Sequence, residues 1–384
     1  MWGWSPDAWT ALHAGQGEHT AVTRVDVWHS GKHVYTLAAT GGAVQAEAGS
    51  PVSRSLSGSL IDPTGQLSRG DAGDLLNAYE CEIAPYRGVR LADERDELCP
   101  LGVFGLTGKT VADSPDGLTI SLTGQDRAMG YQGPLGRSVA ISAGTPTEVA
   151  IRQLLTTRRP GLSMVTLKTG FTCGPLYFGS DMDAWGEAQK LAQSAGAKLF
   201  HDRSGQLVLA LAGALSDRPV ARYAEGDGLL LDVDRKEDSD TICNVVVAEN
   251  ADQSIQVEVA DMDPTSPTYS KGQYGRRVYT LKNPYFSSVR QAQQAAATRL
   301  AYELGRSETV RFTAAPNPGL DVDEVVTVHR PRAGLVDRGL VVASLDIPLN
   351  IVEGDAWVPM QVGCRQSRLA QDGRVLDEPP ELAA

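Results

Sequence analysis

The run from residue 51 to 104 limits this chain more than any other stretch. It alternates over 53–61, turns at Asp62-Pro-Thr-Gly65 and crosses an acidic linker. It resumes at 80–83, runs into Tyr86-Arg87-Gly88, and closes on Pro100-Leu-Gly-Val-Phe104. Proline presets φ in such a turn and glycine takes the left-handed position, so the segment reads as strand, turn, strand. This pattern belongs to a β-domain rather than to a catalytic loop.

The same texture continues on both sides. Alternation over 23–28 is followed by His-Ser-Gly-Lys and a return over 33–37, the signature of a β-hairpin. Further strands are expected at 43–47, 102–106 and 118–124, so residues 21–126 read as a first antiparallel β-barrel or sandwich. Ahead of it, residues 1–20 form an arm in which Trp2, Trp4 and Trp9 concentrate apolar surface. Such a segment is expected to dock, on its own chain or on a neighbouring subunit.

Beyond Asp126 the periodicity changes. Residues 146–155 carry helical spacing after a Thr-Pro start, and 183–195 form a clearer helix capped by Asp183 and stopped by Gly196. A hairpin over 197–210 with an Asp-Arg-Ser-Gly turn completes an α/β unit over 127–215. Strands at 229–234, 242–248, 309–314, 324–328 and 339–346 assign 216–248 and 308–370 to a second β-barrel. It is interrupted over 249–307 by a polar loop and an Ala/Gln helix at 289–304, whose Ala295-Ala-Ala297 is a packing face. Residues 371–384 read as an acidic flexible tail. The fold class is mainly β with α/β insertions, and 384 residues leave room for several cores.

Chemistry-bearing patterns point elsewhere than catalysis. Gly108-Lys-Thr110 lacks the earlier glycine of a phosphate loop, since position 103 is valine. His29 and His33 have zinc spacing but flank a turn, not a helix face. The Asp-x-Asp pairs 181/183, 232/234, 261/263 and 321/323 lack the glycine and distal glutamate of a calcium loop, so caps and turns explain them. There is no Gly-x-Ser-x-Gly elbow and no cysteine with a protease signature. No catalytic, cofactor or metal residue is assigned. The five cysteines are expected to be buried free thiols, and no stretch is long and apolar enough to cross a membrane. A formal charge of -12 argues against sequence-specific nucleic-acid binding, which needs clustered Lys and Arg.

The order of motifs carries a resemblance. Arg54-Ser-Leu-Ser-Gly-Ser-Leu-Ile-Asp-Pro-Thr-Gly65, Pro85-Tyr-Arg-Gly88, Pro100-Leu-Gly-Val-Phe104 and Gly124-Gln-Asp-Arg127 are followed by Cys243-Asn-Val-Val-Val-Ala248 and Asp263-Pro-Thr-Ser-Pro-Thr268. Gln291-Ala-Gln-Gln-Ala295 and Pro316-Asn-Pro-Gly-Leu-Asp-Val-Asp-Glu-Val-Val326 complete the series. Over residues 20–350 this resembles a family of minor tail proteins from phages of actinobacteria. The resemblance implies a tail-tip (baseplate) hub: two hub-type β-barrels per chain and a homotrimer presenting six quasi-equivalent barrels. Such a ring would join the tail tube and distal tail ring to the tip and line part of the DNA ejection channel. It implies further contacts with receptor-binding proteins and the tape measure protein, and a place in the virion after assembly in the host cytoplasm. Trp2, Trp4, Trp9, Arg54 and Arg87 are the expected interface residues. The chain ends soon after its last predicted strand, so a C-terminal hydrolase or receptor-binding extension is not expected. The competing readings are a tail-associated cell-wall hydrolase and a carbohydrate-binding tail protein that uses the tryptophan-rich arm.

Overall fold

The computed structural model describes residues 4–13 and 20–366, apart from 63–64, 66, 71–73, 116, 167, 212–217, 241 and 354–355. The chain opens with a helix, α1 (Pro6–His13), where the sequence suggested an irregular arm. Its start signals are nevertheless local: the Ser5 hydroxyl accepts from the Ala8 N–H at 3.2 Å, with Pro6 and Asp7 in the first turn.

Eight strands follow: β1 (Thr20–His29), β2 (Lys32–Leu37), β3 (Gly41–Glu47), β4 (Arg54–Ile61), β5 (Cys81–Arg90), β6 (Asp96–Pro100), β7 (Phe104–Ser114) and β8 (Gly117–Asp126). Ser30 and Gly31 both take positive φ, 49° and 75°, which is the two-residue turn that suits a twisted β1–β2 hairpin. At Gly88 a Cβ would lie 1.8 Å from the Glu97 carbonyl, so β6 can approach β5 only against glycine. Gly65 has the left-handed φ expected of the Asp62 turn, and the Asp62 carboxylate accepts from the Leu67 N–H at 2.8 Å.

The middle of the chain contributes β9 (Val139–Ile141), α2 (Thr147–Thr156), β10 (Met164–Thr166), β11 (Leu176–Phe178), α3 (Ala184–Ser194), β12 (Ala197–His201) and β13 (Leu207–Leu211). Asp183 caps α3 by accepting from the Gly186 N–H at 2.6 Å, and Gly196 follows the helix at φ 64°. These elements share a core of their own around Ile151, Leu154, Phe178, Trp185 and Leu209.

The last part holds β14 (Ala221–Ala224), β15 (Leu230–Glu237), β16 (Val245–Glu249), β17 (Gln256–Ala260), β18 (Val278–Lys282) and α4 (Val289–Gly305). Then come β19 (Glu308–Ala314), β20 (Val325–Arg330), β21 (Leu335–Pro348), the short pair β22 (Val352–Glu353) and β23 (Ala356–Trp357), and β24 (Met360–Gln366). The segment 242–248, expected in the second β-barrel, belongs elsewhere: β16 pairs with β17 and β18 in a separate three-stranded sheet. That sheet packs Val246, Ala248 and Leu281 on Ala292, Ala295 and Ala296 of α4. An apolar run of this kind needs cover but does not encode which strand supplies it.

The remaining long strands form one sheet in the order β15-β19-β24-β21-β3-β4-β8-β7-β5-β1-β2, with β20 also on β21, β14 on β20 and β6 on β5. The two expected β-units are thus joined in one sheet. Among the described residues the pairings close no barrel, and a single hydrophobic core from Val27 and Phe104 to Phe312 and Val362 runs under both halves. The halves repeat one another. In the first, β3-β4-β8-β7-β5 are antiparallel neighbours; in the second, β15-β19-β24-β21-β20 are, and chain order within each set is the same. Even the irregularities correspond, because β7 bulges between Leu106 and Gly108 against β8, and β21 between Val342 and Ser344 against β24. The halves join where β21 pairs antiparallel with β3, from Ser344 opposite Glu47 to Pro348 opposite Ala43. The expected tail 371–384 lies outside the described residues.

Candidate functional site

Strict alternation divides the strands around the join into a dry face and a wet face. Val44 and Ala46 of β3, Leu345 and Ile347 of β21, Phe312 of β19 and Val362 of β24 point into the core. Their neighbours in sequence line a groove of about 700 Å³ on the other side, running across β4, β3, β21, β24, β19 and β15. Gln45, Glu47, Ser55, Gln125, Asp232, Asp234, Arg311, Thr313, Ser344, Asp346 and Gln361 all contribute to it. Four carboxylates face one guanidinium there, so the surface is polar and acidic. At the join itself Gln45 donates across the strands to Asp346 at 3.0 Å. No nucleophile–base pair or metal set converges on this groove, and among the described residues no group of three or more His, Cys, Asp and Glu side chains is placed to hold a metal.

An ion cluster ties four stretches of chain together. Arg54, from β4, reaches both carboxylate oxygens of Asp321 at 2.5 and 2.7 Å, and Arg203, from the β12–β13 turn, reaches one of them at 3.0 Å. Two residues on, Asp323 accepts from Lys198 of β12 at 2.7 Å and pairs with Arg365 of β24 at 3.4 Å. Burial by itself would raise the Asp321 pKa, but the two guanidiniums outweigh it and hold the carboxyl well below the usual carboxylate range. The loop that carries the pair is itself inside the molecule: Pro316, Asn317 and Leu320 are buried, and the Asn317 side chain accepts from the Gly319 N–H at 3.0 Å and donates to the Tyr223 hydroxyl at 3.2 Å. A buried loop survives only when its polar groups are matched this way.

Arg54 and Arg87, expected at a subunit interface, are 5 % and 2 % exposed, so the interface they serve in this chain is internal. Arg87 donates from β5 to the carbonyls of Pro348, the last residue of β21, and of Asn350 just beyond it, and burial lowers its pKa to about 10. The main-chain N–H of Arg54 is held by Asp126 at 3.0 Å. Trp4 docks on its own chain, buried with Ala8 and Leu12 in the large core, while Ser5 bonds to Glu97 at 2.7 Å. Trp2 and the side chain of Trp9 lie outside the described residues.

Other sequence candidates resolve into structural roles. His29 and His33 sit at the β1–β2 turn beside Glu80 and Asp26. Asp261 is buried and accepts from Ser266 and Thr268 at 2.6 and 2.7 Å. Lys109 lies in β7, not in a phosphate loop. Four cysteines are buried and free, and Cys243 is half-buried. Reading Asp321 and Asp323 only as turn residues missed the cluster. Their spacing was visible in the sequence, but their partners Arg54, Lys198, Arg203 and Arg365 are 42 to 267 residues away.

No family model matches the chain, and no curated protein matches it. Solved structures do. A tail protein from Neisseria meningitidis superposes with a TM-score of 0.62 at 16% identity, covering 90% of this chain and 97% of that one. The 43 kDa tail protein of prophage MuSo2 from Shewanella oneidensis gives 0.59 at 14% identity, covering 90% and 98%. Prophage tail protein gp18 from Listeria monocytogenes gives 0.51 at 9% identity, covering 89% and 94%. At these identities the likeness is one of fold, and it extends along nearly the whole of each chain. The chain therefore shares the mainly β, antiparallel fold of phage tail proteins.

Proposed function

We propose that this chain is a structural component of a phage tail tip: a homotrimeric hub ring that joins the tail tube and distal tail ring to the tip and forms part of the DNA ejection channel. The observation that carries this reading is the wet face of the sheet. One polar, acidic groove runs without interruption across the join between two topological repeats. Two repeats per chain turn a threefold assembly into six similar segments, which is what a ring between a sixfold tube and a threefold tip requires. A carboxylate-rich wall repels phosphates and so lets DNA pass without binding. The overall negative charge points the same way.

In this role the chain works by shape and charge, without catalysis or a cofactor. The two repeated halves act as the ring-forming units, the 127–215 unit and the 249–307 insertion decorate the ring, and the tape measure and receptor-binding proteins are its further neighbours. The virion is its place of action, and the ordered motifs point to actinobacterial phages. Sedimentation of the full chain, alone and mixed with the distal tail ring protein of its own phage, tests the assembly. A species of roughly three times 40.9 kDa in either condition supports the ring. A strict monomer in both overturns it.

A further inference from the structure

The two halves are equivalent in topology but not in what their strands pair with, and the difference identifies a contact between copies. In the second half β21 is shared: its N-terminal part pairs with β20 and its C-terminal part with β3. Its equivalent, β7, pairs with β5 only at Phe104 and Gly105. Among the described residues, the β7 backbone beyond Gly105 is paired on the β8 side alone. Conversely, β3 is covered by β21, whereas its equivalent β15 has β19 on one side and, among the described residues, no strand on the other.

We propose that the free length of β7 in one copy receives β15 of the next copy, repeating between chains the β21–β3 pairing that joins the halves within a chain. The matching bulges fix the register. Gly108 takes the place of Ser344 and Arg235 that of Val44, so Val111 faces Arg235 and Lys109 faces Glu237.

One observation beside the shared topology fits this register. Val111 lies opposite the buried Ile120 on the core side of the sheet yet is 41% exposed, while Ile347, its equivalent, is 3% exposed under the partner strand. An apolar residue on the inward face at a bare edge marks missing cover. The charges are compatible with the register: Lys109, which holds Asp74 of its own chain at 2.5 Å, would meet Glu237, and Asp113 would lie diagonal to Arg235, which holds Glu237 and Glu308 within its own chain.

The inference rests on the ring reading above, and the test separates the two. Cysteines at directly opposed antiparallel positions have the Cβ spacing a disulfide needs. In the full chain carrying V111C and R235C, mild oxidation under conditions where sedimentation shows the oligomer should link copies up to the size of that oligomer. Mixing the V111C and R235C single variants should give linked dimers containing one of each. Linkage should run roughly tenfold or more faster than for K32C with R235C, because pairing raises the local concentration of the two thiols. The unsubstituted chain, with its five native cysteines, sets the background. An oligomer in which V111C/R235C links no faster than K32C/R235C overturns the edge assignment and leaves the ring standing. A chain that stays monomeric with and without its ring partner overturns both.

Discussion

The two halves of the long sheet use the same five-strand order but reach it differently. In the first half, β3 to β8 follow one another within 41–126, interrupted only by turns and the 62–80 linker. In the second half, β15 and β19 are neighbours although α4 and the β16–β18 sheet lie between them in the chain. A hairpin connection can evidently be replaced by a folded insertion without changing strand order, because the insertion brings its own core and leaves the sheet's pairing alone. The second half also carries the carboxylates at 321 and 323, which receive cations from β4 and the β12–β13 unit, whereas in the corresponding linker of the first half Asp74 receives Lys109 of the same half. Similar sheets thus divide the work: one supplies Arg54 and Arg87, the other the groups that bind them.

That asymmetry can be broken experimentally. The largest effect is expected from Asp321→Ala, which strands Arg54 and Arg203 inside the molecule. Removing one side of a buried ion cluster costs about 3–5 kcal/mol, readable as a lowered denaturant midpoint. A change below about 1 kcal/mol would mean that the apolar core alone holds the halves together. The same carboxyl sets an acid limit. Its folded pKa lies below its unfolded one, so its contribution is present above about pH 4 and fades as pH falls through the folded value. Asp321→Asn should remove that part of the acid sensitivity.

The next effect concerns the α/β unit that bridges to the cluster through Lys198 and Arg203. His201 is buried between Tyr131 and Trp185, with ring centroids at 5.8 and 5.7 Å, and burial lowers its pKa to about 3. The unfolded chain takes up a proton near pH 6.5 and the folded one does not. Stability should therefore fall with pH by up to about 1.4 kcal/mol per unit between those values. In His201→Phe this slope should flatten, and urea titrations at several pH values would show it. If the slope is unchanged, the ring is protonated in the folded state.

A smaller loss is expected from Asp183→Ala, which removes the α3 cap and should cost about 1 kcal/mol, with the β halves unaffected by hydrogen exchange. The smallest is Arg222→Ala. Its ion pair with Asp337 at 3.0 Å is exposed on both sides and should leave the thermal midpoint unchanged. A measurable drop would show that the second half depends on its outer edge near β14 as well as on the buried cluster.

Local chemistry made much of this architecture legible. The Ser30-Gly31 turn, the Asp183 cap, Gly196 after α3 and the alanine face of α4 were all readable from neighbouring residues, because a turn, a cap or a helical face is decided within a few positions. Helix α1 was equally local and was overlooked although Ser5-Pro6-Asp7 spells its start. The edge strands β14, β17 and β18 and the central β24 were not anticipated. Met360–Gln366 shows the limit well: its alternation is ordinary, and it earns a central place only because β19 and β21 flank it.

The sequence by itself determined the kinds of element, their caps and turns, the acidic charge and the mainly β class. Only the tertiary structure decided that β16 leaves the long sheet, that β3 meets β21, and that Asp321 and Asp323 bind four cations from distant stretches. Strand pairing and ion clustering depend on which groups are brought together across hundreds of residues. A side chain's two-residue alternation states which way it faces but not what it will face.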